Sequence, residues 1–170
     1  MSRFSPKKHS LFLEIIAGIV LGLIIKTMIF DIQRVSGTSM EETLKDGQYV
    51  GIFRLQYGIK LPFSDRLILQ WKTPKENDIV VFYANDKPVI KRCIATEKTP
   101  LDFSAENGYS LIVGKRQFPL NEYQYQRLKN TDMVPENTFL AIGDNYTDSV
   151  DSREYGFVRS DAVLGKAICR

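Results

Sequence analysis

A hydroxyl able to act as a nucleophile stands at Ser39, inside Ser36-Gly37-Thr38-Ser39-Met40-Glu41-Glu42-Thr43-Leu44. A Gly-Thr-Ser-Met turn exposes a side-chain oxygen beside a backbone N–H, the two parts needed to attack a carbonyl and hold the resulting oxyanion. Alone, such a run is also an ordinary serine-rich turn. A hydroxyl nucleophile needs a base, and the single histidine, His9, lies on the far side of a long apolar segment. That leaves a carboxylate or a lysine. Val89-Ile90-Lys91-Arg92-Cys93-Ile94-Ala95 places two cations in an apolar, strand-like run. With a side-chain period of two, Lys91 and Arg92 point to opposite faces, and one of them must enter a cleft or the interior. A free lysine titrates near about 10.4 and must fall to roughly 7–8 to serve as a base near neutrality, at a cost on the order of 3–5 kcal/mol. Burial between apolar neighbours such as Ile90 and Ile94 supplies a shift of that size. The plainer alternative is an edge strand with two solvated charges.

A third polar stretch runs from Gly143 to Gly156, GDNYTDSVDSREYG. It holds Asp151 and Arg153, which suit a charge-assisted pair. Its acids lack the spacing and the final glutamate of an EF-hand loop. Asn145-Tyr146-Thr147 fits a glycosylation sequon only by coincidence of composition. The two cysteines, Cys93 and Cys169, have no metal-site spacing. A disulfide between them stays open outside the cytoplasm. No metal and no cofactor is expected.

These residues need a scaffold, and the chain divides into three parts. Residues 1–10 are polar and basic, with Arg3, Lys7 and Lys8. Residues 11–30, LFLEIIAGIVLGLIIKTMIF, carry only Glu14 and Lys26 as charges. A helix of that length spans about 30 Å, the hydrocarbon thickness of a bilayer. A retained transmembrane anchor is the expectation. A cleaved signal peptide would be shorter and end in a small-x-small site; a buried globular helix is the third reading. The basic flank before the segment and Asp31 after it predict an N-terminus in the cytoplasm and a single pass. Residues 31–170 then form an extracytoplasmic domain.

Within that domain, Gln48–Phe53, Asp78–Tyr83, Pro88–Ala95, Tyr109–Val113, Thr138–Ile142 and Gly156–Val158 read as strands between turn residues. Only Glu122–Lys129 has the pattern of a helical turn. The expected class is mainly β, compact and barrel-like. The apolar segment 55–71 reads as a loop or hairpin, either folded onto the core or resting on the bilayer with Tyr57 and Trp71 at headgroup level. No nucleic acid is expected as a partner: 23 basic and 20 acidic residues leave a net charge of +3, too weak to argue for one.

Taken together, SGTSMEETL, DIVVF (78–82), IKR (90–92) and GDNYTDSVDSREYGFV resemble the sequence boxes of bacterial type I signal peptidases, serine–lysine proteases that remove signal peptides from exported preproteins. The resemblance implies Ser39 as nucleophile and Lys91 as general base. It implies Ser149 as the serine that orients the lysine, Asp151 and Arg153 as a structural ion pair, and Gly143 as a point of close backbone approach. It implies Val35, Gly37, Met40, Leu44 and Ile90 as substrate contacts, and an oxyanion hole built on the Ser39 N–H. The implied substrate is an extended secretory preprotein with small residues at −1 and −3, met at the cell membrane beside the export machinery and the lipid bilayer. A pilin- or conjugation-type processing peptidase of the same class, or an idle membrane-tethered peptide-binding β domain, are the alternatives. Glu42 stands where the family usually has proline, and Gly37 where some members have serine.

Overall fold

The computed structural model describes residues 7–60, 66–106 and 108–169, without the side chains of 7–10 and Thr27. Residues 1–6, and with them Arg3, lie outside the described residues, as do Leu61 and Phe63 and the side chains of Lys7, Lys8 and His9. A helix, α1 (Lys7–Ile29), leads without a turn into β1 (Phe30–Arg34). The strands that follow are β2 (Tyr49–Phe53), β3 (Gly58–Lys60), β4 (Leu67–Gln70), β5 (Ile79–Ala84), β6 (Lys87–Thr96), β7 (Asp102–Ser104), β8 (Ser110–Val113), β9 (Arg116–Pro119), β10 (Thr138–Ile142), β11 (Val158–Arg159) and β12 (Val163–Ile168). Two short helices, α2 (Glu122–Leu128) and α3 (Ser152–Tyr155), interrupt them.

Mainly β is therefore what the chain forms, but the expected barrel does not close. Seven strands form one antiparallel sheet in the order β1-β2-β12-β5-β6-β10-β11, with β1 and β11 as its open edges. Closure would need β1 to pair with β11, which has only two residues and pairs with β10 alone. A two-stranded hairpin, β3-β4, and a three-stranded meander, β7-β8-β9, stand beside the main sheet.

Strand alternation gives the main sheet two covered faces. On β5, Val80 and Phe82 turn to one side with Tyr57, Cys93, Phe139 and Val163. Ile79 and Val81 turn to the other, with Val35, Met40, Leu44, Val50 and Ile52. On β10, Leu140 and Ile142 pack instead with Leu111, Val113 and Phe118 of the meander. The meander is short and polar at its ends, so it is held by this shared core more than by its own pairing.

Because each neighbouring pair from β1 through β2, β12 and β5 to β6 is antiparallel, β1 and β6 run parallel to one another. β10 pairs with β6 only from Arg92 onward, so residues 87–91 have a ladder on one side alone. The sheet curls until this free stretch of β6 faces edge strand β1 across a cleft.

α1 presents an apolar surface on every side: Leu11, Phe12, Leu13, Ile19, Leu21 and Leu23 are all more than half exposed. Among the described residues no helix is long and apolar enough to cross a membrane.

Candidate active site

The loop between β1 and β2 carries Ser39. Val35 N donates to Gln48 O at 2.7 Å and Gly47 N to Val35 O at 2.9 Å, extending the β1–β2 ladder outward. Gly37 then adopts φ +94°, a left-handed conformation that a Cβ would strain, and its N–H donates to Asp46 Oδ1 at 2.8 Å. This is a backbone reason for glycine at this position. The turn closes with Glu41 N to Thr38 O at 3.0 Å and Leu44 N to Met40 O at 2.6 Å. Met40 and Leu44 are 1% and 0% exposed, pinning the turn to the core and leaving Ser39 half-buried above it.

β6 brings Lys91 to the same point. Its side chain is 4% exposed, and Nζ lies 2.7 Å from Ser39 Oγ. Burial holds the Lys91 amine below the ordinary lysine value; Asp151, Asp144 and Asp148 oppose the shift, and Arg153 adds to it. Arg92, on the opposite face, makes a bidentate pair with Asp144, Nε–Oδ1 2.8 Å and Nη2–Oδ2 2.7 Å. Arg92 Nη2 also donates to Thr43 Oγ1 at 2.9 Å, which ties the turn that carries Ser39 to β6. That Arg92–Asp144–Thr43 junction is not apparent from the sequence. Its signal was the unpaired second cation of the strand and an acid in the Gly143–Gly156 stretch with no partner of its own.

That stretch clamps the other side. Asn145 N donates to Ser39 O at 3.0 Å, and Thr38 Oγ1 donates to Asp148 Oδ2. A bulge at Leu140/Ala141 frees the Ala141 N–H, which donates to Ser152 Oγ at 2.9 Å. Asp151 and Arg153 do pair, fully buried, through Nε–Oδ1 and Nη2–Oδ2 contacts of 2.9 Å each. Asp151 Oδ2 also accepts from Gly143 N at 3.1 Å, and Arg153 reaches Pro119 O and Tyr146 O. A Cβ on Gly143 would sit 2.3 Å from Ser149 Oγ and 2.5 Å from Ser39 O, so only glycine admits the approach.

The structure thus brings Ser39, Lys91, Gly143, Ser149, Asp151 and Arg153 together. Ser149 does not hold Lys91 here: its Oγ is buried without a hydrogen-bond partner among the described residues, and the Lys91 bond goes to Ser39. A cleft of about 820 Å³ opens over the pair, lined on one side by β1 and its continuation and on the other by Lys87–Lys91. Val35, Gly37, Met40 and Ile90 line it. Leu44 does not: it is sealed in the core beneath Met40, so it supports the turn and has no surface to offer a substrate. Cys93 and Cys169 are both free thiols, and burial pushes the Cys93 thiol up to about 12.

Signal peptidase IB of Staphylococcus aureus (strain Mu50 / ATCC 700699) is 25% identical over 180 residues, covering 93% of this chain and 86% of that protein. Signal peptidase I of Buchnera aphidicola subsp. Baizongia pistaciae (strain Bp) is 22% identical over 223 residues, covering 88% of this chain and 72% of that protein. A crystal structure of a signal peptidase I from Enterococcus faecalis V583 superposes with TM-score 0.41 and 24% identity, over 56% of this chain and 97% of that one. The family described as "Signal peptidase, peptidase S26" matches residues 8–170, nearly the whole chain, and to that family the chain belongs.

Proposed function

We propose that this protein is a membrane-tethered serine endopeptidase that removes N-terminal signal peptides from exported preproteins, with Ser39 as nucleophile and Lys91 as general base. The observation that carries the reading is the 2.7 Å approach of a buried lysine amine to the Ser39 hydroxyl at the floor of an open cleft. In its neutral form Lys91 accepts the hydroxyl proton as Oγ attacks the scissile carbonyl carbon. The Ser39 N–H meets the oxyanion. The ammonium then returns its proton to the leaving amine, and water repeats the cycle on the acyl-enzyme. Ser149 Oγ, beside the pair with its hydrogen-bonding capacity unused, is available to the ammonium once Ser39 is acylated.

Two free strand edges, β1 and residues 87–91 of β6, support an extended peptide added between them. In such a strand the −1 and −3 side chains share one face. Facing the floor of Val35, Met40 and Ile90, that face favours small residues, hence cleavage after small-x-small sites. Membrane tethering is supported by the exposed apolar side chains of α1, among them Leu11, Phe12, Leu13, Ile19, Leu21 and Leu23. Ile68, Leu69 and Trp71, exposed on and after β4, extend the apolar surface of the domain. The orientation we propose places the N-terminus in the cytoplasm and residues 31–170 outside the cell membrane.

The test is incubation of the purified full chain with a preprotein carrying an Ala-x-Ala site, followed by N-terminal sequencing of the product. Cleavage after the second alanine is expected, with Ser39→Ala and Lys91→Ala folded and inactive. Retained cleavage in either variant overturns the mechanism. Binding without cleavage by the wild type would instead favour a peptide-binding domain.

A further inference from the structure

Three acids lie in the loop that clamps the nucleophile, and they are not equivalent. Asp144 is paired with Arg92, and Asp151 with Arg153. Asp148 is exposed, and its side chain accepts from the neutral hydroxyl of Thr38. Among the described residues no arginine or lysine forms an ion pair with it, although its charge acts on the Lys91 amine. It is also the sole carboxylate among the described residues lining the cleft; the other charged groups there are Arg34, Lys87 and Lys91.

The topology says which part of a substrate it meets. β1 and β6 run parallel, and both arrive at the Ser39–Lys91 pair from the same end of the cleft. Residues of the substrate laid along these two strands precede the scissile bond, on the reading proposed above. The residue just after the bond leaves beside Ser39, whose chain neighbour Thr38 holds Asp148 at the cleft wall. The loop is fixed in place by Asp148 N donating to Asn145 O at 3.2 Å and Asn145 N to Ser39 O at 3.0 Å. The carboxylate therefore keeps its distance from the nucleophile when a substrate arrives.

We propose that Asp148 is a specificity-determining residue, favouring a cationic side chain in the first position after the scissile bond and disfavouring an acidic one. The interaction is solvent-exposed, so each sign is worth about 3–5-fold in kcat/KM, and the contrast between Lys and Glu about 10-fold. Because the groups are exposed, salt screens the effect.

This inference rests on the protease reading, and the experiment separates the two. Three peptides identical except for Lys, Gln or Glu immediately after the cleavage site are assayed for kcat/KM with wild type and Asp148→Asn. Any effect of Asp148 on the titration of Lys91 acts on all three peptides alike and cancels in the Lys/Glu ratio, as does partial loss of folded protein. The expected ratio is about 10 for the wild type at low salt, smaller at high salt, and near 1 for Asp148→Asn. A wild-type ratio near 1, or one that Asp148→Asn leaves unchanged, overturns the inference while the protease reading stands. Failure of the wild type to cut even the Gln peptide overturns both.

Discussion

Gly143→Ala tests whether the nucleophile is positioned by backbone packing. The added Cβ would lie 2.3 Å from Ser149 Oγ, 2.8 Å from Ser149 Cβ and 2.5 Å from the Ser39 carbonyl oxygen. Ser149 Oγ can swing aside by rotation about χ1, but its Cβ and the Ser39 carbonyl belong to the chain itself. An ordinary C···O contact is about 3.3 Å, so the Ser39 carbonyl must retreat by about 0.8 Å. That carbonyl accepts from Asn145 N, and Ser39 Oγ sits 2.7 Å from Lys91 Nζ. A displacement of this size stretches both contacts, and a misplacement of about 1 Å at a reacting group costs about 10²-fold. Overpacking adds a stability loss of about 1–3 kcal/mol.

The assay is steady-state cleavage of a small-x-small peptide together with thermal unfolding. A fall in kcat of about 100-fold is expected, with KM little changed because the edges of β1 and β6 are not touched. The melting temperature should drop by several degrees. A variant that keeps kcat within about 3-fold of wild type would refute the claim that Gly143 sets the position of Ser39.

Two further outcomes concern pH and stability. Burial lowers the Lys91 amine in the folded state, so between the folded value and about 10.4 the unfolded chain binds more protons and wild-type stability rises with pH. Lys91→Met should be more stable than wild type at pH 7 by about 1–3 kcal/mol, with the gap closing toward pH 10; denaturant titrations at both pH values check this. Asp78 has the opposite sign: despite burial, hydrogen bonds from Lys166, Lys75 N and Tyr57 hold its carboxyl below the usual range. Its contribution is present above the ordinary carboxylate value and lost as pH falls through the folded one, so Asp78→Asn should cost about 1–3 kcal/mol at pH 7 and flatten the acid limb of the stability curve.

Where each element was legible follows from what holds it. β5, β10 and the Cys93–Ala95 end of β6 are apolar and buried over most of their length, and their pattern is intrinsic to the chain. β1 was hidden because α1 passes into Phe30 with no turn residue between them, so an apolar helix and an edge strand read as one segment. β12 carries Gly165 and Lys166 in its middle; it is a strand because β2 and β5 pair with it on either side. The barrel expectation failed on closure, which depends on the length of β11 and on no local pattern. Ser39 and Lys91 each looked ordinary in isolation, whereas Leu44 lies four residues past Met40, where the cleft lining of this segment ends, and faces the core. The Arg92–Asp144 pair joins residues 52 positions apart, a relation that only the folded sheet creates.

The charges around Lys91 explain how burial keeps its amine low beside so acidic a loop, as the proposed role of base requires. Asp151 alone would favour the ammonium and defeat the purpose of burial. Its carboxylate is needed all the same, because it accepts the Gly143 N–H and caps α3 through the Arg153 N–H. Arg153 resolves the conflict: it takes both Asp151 oxygens at 2.9 Å, and its own charge pushes the Lys91 amine down. To Lys91 the pair presents two opposite charges close together, whose fields largely offset each other. Arg92 pairs with both oxygens of Asp144 on the other side. Burial is then left as the dominant influence on the amine, and the same two arginines that neutralise the loop also fix the backbone on which Ser39 rests.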